Sequence, residues 1–122
     1  MVDIKKARKN LDKAYEARKK SAVERYHSAA ADCRAIIDMI VTSYHPSRIL
    51  QWGSLLHPDR FREYSDIDLA VEGIIDAEVF FNLLGDAMRL TRFPLDIVQM
   101  EKIEPEFAET IRKTGKVVYE RA

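Results

Sequence analysis

Apolar positions recur with two different periods along this chain. From residue 3 to residue 44 there is no glycine or proline, and Ala, Lys, Arg and Glu dominate, so the stretch reads as helix. Its first half carries a thin apolar stripe at Ile4, Ala7, Leu11, Ala14, Tyr15 and Ala22. From Tyr26 the stripe thickens through Ala29, Ala30, Cys33, Ile36, Ile37, Ile40, Val41 and Tyr44, the mark of a core-facing helix. Ser21-Ala22-Val23-Glu24 has capping-box spacing and could start a second helix, while one unbroken helix is equally consistent. His45-Pro46 ends the segment, because proline forces the preceding residue out of the α region.

Beyond Pro46 the period shortens to that of strands. Arg48–Trp52 reads as a short buried strand stopping at Gly53, and Ile67–Val71 as a second. Asp76 can cap a helix over 77–90 with Val79, Phe80, Leu83, Leu84, Ala87 and Met88 inward. A third strand is expected at Pro94–Gln99. A last helix follows, with Pro105 in its first turn, running to Lys113 and ended by Gly115. Val117–Tyr119 forms a terminal strand or extended segment. Together these elements predict an α+β fold: a small mixed sheet of three to four strands flanked by helices, with a long N-terminal helix. Residues 1–25 are expected to form a basic helical extension and 26–122 the domain proper.

The chemistry concentrates between Gln51 and Glu72. Side chains alternate faces along a strand, so Ile67, Leu69 and Val71 share one face while Asp66 and Asp68 share the other. Two carboxylates about 7 Å apart on one face repel, and one tends to hold its proton unless a cation lies between them. A pair that holds Mg²⁺ needs this arrangement, because hard divalent ions take carboxylate oxygens and leave room for substrate phosphates. Gly53 lets the backbone turn tightly and approach a ligand. Ser54 is expected to cap a short helix through Leu55-Leu56, whose free N–H groups would suit a phosphate. On the third strand Asp96, Val98 and Met100 share a face. An acid on a central strand between Leu95 and Ile97 is costly to bury unpaired, so a metal is its natural partner.

Gly53-Ser54 at a strand end, an eleven-residue loop, Asp66-Ile67-Asp68-Leu69 on the next strand and Asp96 on a later one together resemble the nucleotidyltransferase signature of the DNA polymerase β superfamily. The short chain looks most like its minimal nucleotidyltransferase (MNT) branch. The closing stretch from Ile103-Glu104-Pro105-Glu106 to Gly115-Lys116-Val117-Val118-Tyr119 is also similar to the tail of these domains, and the resemblance spans residues 33 to 121. It implies a nucleotidyltransferase fold and transfer of an NMP, with AMP first, from an NTP to an acceptor hydroxyl by a two-metal mechanism. Asp66, Asp68 and Asp96 would serve as catalytic and metal-binding residues for two Mg²⁺ ions (or Mn²⁺), and Gly53 and Ser54 would contact the nucleotide. The sequence departs from the family just after Ser54, where Leu55-Leu56 replaces a small turn followed by arginine. Arg60 or Arg62 could stand in as the phosphate contact. The resemblance further implies a HEPN ribonuclease toxin as partner, with this chain as the antitoxin. The alternative is a non-catalytic binding or antitoxin module that retains a nucleotide site.

Charge changes this picture in one respect. The net charge is zero, which argues against a nucleic-acid field over the whole chain. Residues 1–27, however, hold nine Lys/Arg against four Asp/Glu, and the remainder eleven against sixteen. The basic arm is therefore separate from an acidic body, and its thin stripe could serve a partner or a homo-oligomer. The lone cysteine, Cys33, excludes an internal disulfide and suits a reducing cytoplasm. No run of about 18 apolar residues exists to span a membrane. His27, His45 and His57 read as surface residues, and no His/Cys spacing suggests zinc.

Overall fold

In the computed structural model, residues 3–61 and 65–122 are described, the side chain of Arg60 excepted. Helix α1 runs unbroken over Ile4–Tyr44, so Ser21-Glu24 starts no new helix; Ser21 Oγ instead accepts from Arg25 of the next turn. Asp3 caps α1 by accepting from the Lys6 N–H. His45 closes it in the left-handed conformation, a C-terminal signal that Pro46 makes final. The arm stands exposed as far as Ser21, and full burial begins only at Ala29, Cys33, Ile36 and Ile40.

The remaining elements are β1 (Arg48–Trp52), one-turn 3₁₀ helices at Ser54–Leu56 and Pro58–Arg60, β2 (Ile67–Glu72), α2 (Ala77–Met88), β3 (Leu95–Gln99), α3 (Pro105–Thr114) and β4 (Lys116–Glu120). They form one four-stranded mixed sheet in the order β3-β2-β1-β4. β1 lies antiparallel to both β2 and β4, while β2 and β3 are parallel. Parallel neighbours need a crossover, and α2 provides it. The α+β architecture with a long N-terminal helix is thus the observed one.

Each face of the sheet has its own cover. Ile49, Ile67, Leu69, Val71 and Ile97 pack with Ala29, Cys33, Ile36 and Ile40 of α1 and with Leu83 and Ala87 of α2. On the other face Leu50, Ala70 and Met100 pack under Ala108 and Ile111 of α3. Burial pushes the Cys33 thiol up to about 11, so it behaves as a small core hydrophobe.

The helix over 77–90 ends earlier, at Met88, and its inward face differs from the expected one. Asp76 caps it through the Val79 N–H, and Leu83 and Ala87 are buried with Phe80 and Leu84 beside them. Val79 and Met88 face outward instead. The rotation of α2 follows the full burial of Leu83 and Ala87, and the hydrogen bond that Tyr44 donates to Asp86, 2.5 Å, ties an adjacent side of the helix to α1.

Candidate functional site

At the end of β2 nearest the loop, β1, β2 and β3 bring three side chains into one row. Trp52 of β1 is opposite Asp68 of β2, and Asp68 is opposite Asp96 of β3. Residues paired across neighbouring strands point to the same face, so Asp68 and Asp96 sit side by side on the face that α3 partly covers. Asp66, just before β2 begins, joins them. Its charge acts on both: it helps raise the carboxyls of Asp68 and Asp96 above the ordinary range.

The three acids differ in environment. Asp68 is 8% exposed and is the buried charged residue of the core. Burial first, then the charges of Asp66 and Asp96, push its pKa from 3.8 to about 7. Asp96 is exposed, which corrects the expectation of a central strand. β3 is the sheet edge, because the crossover through α2 places it outside β2 while β4 takes the far side of β1. Its carboxyl is still raised, by partial burial and by Asp66.

Gly53 shows why the turn after β1 must be glycine. Its φ of 82° and ψ of −163° belong to a region that essentially only glycine occupies. A Cβ placed there would lie 2.1 Å from Asp68 Oδ2. The close approach is therefore first to the Asp68 carboxylate, and Gly53 is what allows that carboxylate its position. Ser54 does not cap the following turn. Gly53 occupies the cap position and no side-chain bond closes it. The turn has three residues, too few for an appreciable helix dipole, so any phosphate contact here would rest on the Gly53 and Ser54 groups themselves. Leu55 is buried in the main core, which explains why an apolar residue stands after Ser54. Arg62 and the Arg60 side chain lie outside the described residues.

Two neighbours were not picked out in the sequence. Trp52 meets Phe107 of α3 edge-to-face, with centroids 5.3 Å apart at 89°, and forms an aromatic wall beside Asp68. The Trp52 Nε1 is buried and has no hydrogen-bond partner among the described residues. On the other face of the sheet, a cleft of about 300 Å³ next to the Ser54–Leu56 turn is lined by Arg34, Gln51 and Lys116. Only strand register and helix docking bring these groups together, and neither is written in local sequence.

Asp66, Asp68 and Asp96 offer only oxygen donors, the kind a hard divalent cation takes. Among the described residues no group of three or more His, Cys, Asp or Glu side chains is placed to hold a metal ion, the three acids included. Mg²⁺ does not require one, because it keeps several waters and is commonly held by one or two carboxylates together with substrate phosphates. A buried carboxyl pressed by two others is a suitable donor, since a cation relieves the repulsion that raises it.

Comparison with known proteins identifies the family. Residues 34–122 match the family described as polymerase beta, nucleotidyltransferase. The chain belongs to that family, and within it to the minimal nucleotidyltransferase domains. Three solved structures share the fold. One is the toxin–antitoxin MntA–HepT, with 17% identity over 75% of this chain and 73% of that one, at TM-score 0.58. A mutant form of the pair gives 19% identity, 72% coverage of each chain and TM-score 0.59. A toxin–antitoxin with AMP-PNP gives 20%, 71% and 73%, and TM-score 0.58. No curated protein sequence matched. Among the described residues no helix is long and apolar enough to cross a membrane.

Proposed function

We propose that this protein moves AMP from ATP to a hydroxyl on a partner protein, a HEPN-type toxin, and so acts as its antitoxin. The observation that carries the reading is the row Asp68–Asp96 with Asp66 beside it, set against the Gly53 turn. Family membership supports transferase chemistry, and the fold is shared with a solved toxin–antitoxin MntA–HepT and with a toxin–antitoxin solved with AMP-PNP.

The acceptor oxygen forms a bond to the α-phosphorus, the bond from that phosphorus to the α–β bridging oxygen breaks, and pyrophosphate leaves. Asp96, solvent-facing and with a raised pKa, takes the hydroxyl proton. Gly53 and Ser54 hold the β- and γ-phosphates. Asp66 and Asp68 would hold two Mg²⁺ (or Mn²⁺) ions, with Asp96 completing the second. When bound, such ions neutralise the triphosphate and lower the pKa of the attacking hydroxyl. The protein's own share is positioning, because an in-line displacement gains most from fixed geometry and placed charge. The reading places the protein in the cytoplasm, where ATP, Mg²⁺ and a reduced Cys33 coexist.

One observation keeps a second reading open. Leu55 is buried in the core, and Leu55-Leu56 replaces the small turn with its arginine that often follows Gly-Ser in the family, so the site could bind nucleotide and partner without turning over. Incubation with ATP labelled at the α-phosphate, Mg²⁺ and the partner separates the two. Covalent label on the partner supports transfer, whereas a stoichiometric complex free of label supports binding alone.

A further inference from the structure

α2 carries more apolar surface than its own chain covers. Leu83 and Ala87 are buried, Phe80 and Leu84 pack against the core, and yet Phe81 and Met88 are 75% and 65% exposed. At 100° per residue, Ala77, Phe81, Leu84 and Met88 form one stripe along the helix. Asp86, which holds Tyr44 of α1, lies roughly 150° around from that stripe, so the stripe occupies the flank turned away from α1. Gly85 sits beside its midpoint. A Cβ there would meet nothing within 4 Å, so nothing inside one copy of the chain calls for glycine. Glycine weakens a helix interior relative to alanine. Both the outward apolar stripe and the glycine at its centre lack a purpose in the single chain.

We propose that α2 is the interface of a two-fold symmetric homodimer, packed antiparallel against α2 of a second copy. The stripe is self-complementary about a point between Leu84 and Gly85: Phe81 of one helix then faces Met88 of the other, and Leu84 and Gly85 of both copies lie at the crossing. The missing side chain lets the two helix axes come close. Charges agree with this direction. Glu78 and Arg89 lie on the same flank at opposite ends, so antiparallel pairing sets each Glu78 within about 3 Å, along the axis, of the other copy's Arg89. Arg89 is anchored by Asp86 at 2.8 Å and keeps further N–H donors for a second carboxylate. Parallel pairing would oppose like charges instead. The α1 arm offers no such self-match, because its nine Lys/Arg against four acids would repel a second arm. Since α2 lies on the Ile67–Leu69 side of the sheet, the dimer leaves the Asp68 face of both copies open. One helix pair of twelve residues is a small interface, at the weak end of specific association, so the dimer dissociates in the micromolar range.

Sedimentation equilibrium of the full chain tests this over about 1 to 200 μM, a range that brackets micromolar dissociation. The mass should rise from 14.1 kDa toward twice that value. Phe81→Glu and Met88→Glu should each raise Kd about 100-fold or more, since each places an unpaired charge in the centre of the contact. Glu78→Arg should weaken it by about tenfold, and adding Arg89→Glu to that variant should recover most of the loss. A wild-type chain that stays monomeric throughout, or a dimer indifferent to Phe81→Glu, overturns the proposal. Should either apolar variant melt abnormally by circular dichroism, the charge swap decides, because both its positions are on the surface: failure of the double variant to recover affinity also overturns it.

Discussion

The two faces of β2 solve opposite problems with alternate residues of one strand. Ile67, Leu69 and Val71 lie fully buried against α1 and α2, where dispersion and exclusion of water stabilise the fold. One residue away, Asp68 is nearly as buried but carries a charge beside two others. The first face contributes stability and no chemistry. The second gives up stability, holding at a strand end a carboxyl that burial and its charged neighbours push up to about 7. Burial is almost the same on both, so burial alone does not distinguish core from site; the company of like charges does.

The sharpest way to break this comparison is to neutralise one acid. Asp68→Asn should lower label transfer by about 10³-fold or more, as expected for losing a group that positions transition-state charge, while the folded state persists. Persistence of transfer in Asp68→Asn and Asp66→Asn alike would remove the acid row from the mechanism. The converse change is Leu69→Ala on the apolar face. It should cost about 2–5 kcal/mol in chemical denaturation yet leave activity per folded molecule unchanged.

Gly53→Ala links the two faces through the backbone. With a Cβ 2.1 Å from Asp68 Oδ2 and a φ of 82°, it should destabilise by about 1–3 kcal/mol and displace the carboxylate. In combination with Asp68→Ala the two costs should fall short of their sum, because the clash partner is gone.

The pH dependence sharpens the contrast further. Asp68 has a folded pKa near 7, above its unfolded value of 3.8. Between these values the folded state binds the extra proton, so this carboxyl's contribution to stability is full below about pH 4 and is lost as pH rises to about 7. The loss amounts to roughly a few kcal/mol. Melting temperatures of wild type and Asp68→Asn should therefore diverge with rising pH, the variant becoming the more stable. Millimolar Mg²⁺ at pH 8 should raise the melting temperature of wild type and leave that of the variant nearly unchanged. The smallest effect is expected at Ser54→Ala. Its side chain caps nothing, so stability should change by less than about 0.5 kcal/mol, and any loss of nucleotide affinity then reports a direct phosphate contact.

Much of the fold was readable because local signals were unambiguous. Pro46 and Gly53 bracket β1, Asp76 caps α2, and Pro105 and Gly115 bound α3. The alternation Asp66-Ile67-Asp68-Leu69 placed two acids on one side and the core on the other, and the period of the third strand put Asp96 with Val98 and Met100. Three readings failed for lack of tertiary information. Ser54 looked like a cap, but the glycine before it takes the turn. Val79 and Met88 fit an inward stripe as well as Phe80 and Leu84 do, until docking of Leu83 and Ala87 into the core sets the helix rotation. Asp96 was expected on a central strand, and β3 lies at the edge.

What the sequence determined by itself is the set of elements and the side of each strand on which its acids fall. Both follow from backbone periodicity and from the special dihedrals of proline and glycine, which are local properties. What only the tertiary structure decided is strand order, register and helix rotation: Trp52 opposite Asp68, Asp96 beside it at the sheet edge, and α2 turned with Phe81 outward. These depend on contacts between residues far apart in the chain, whose energies are settled by how the whole core closes rather than by any one segment.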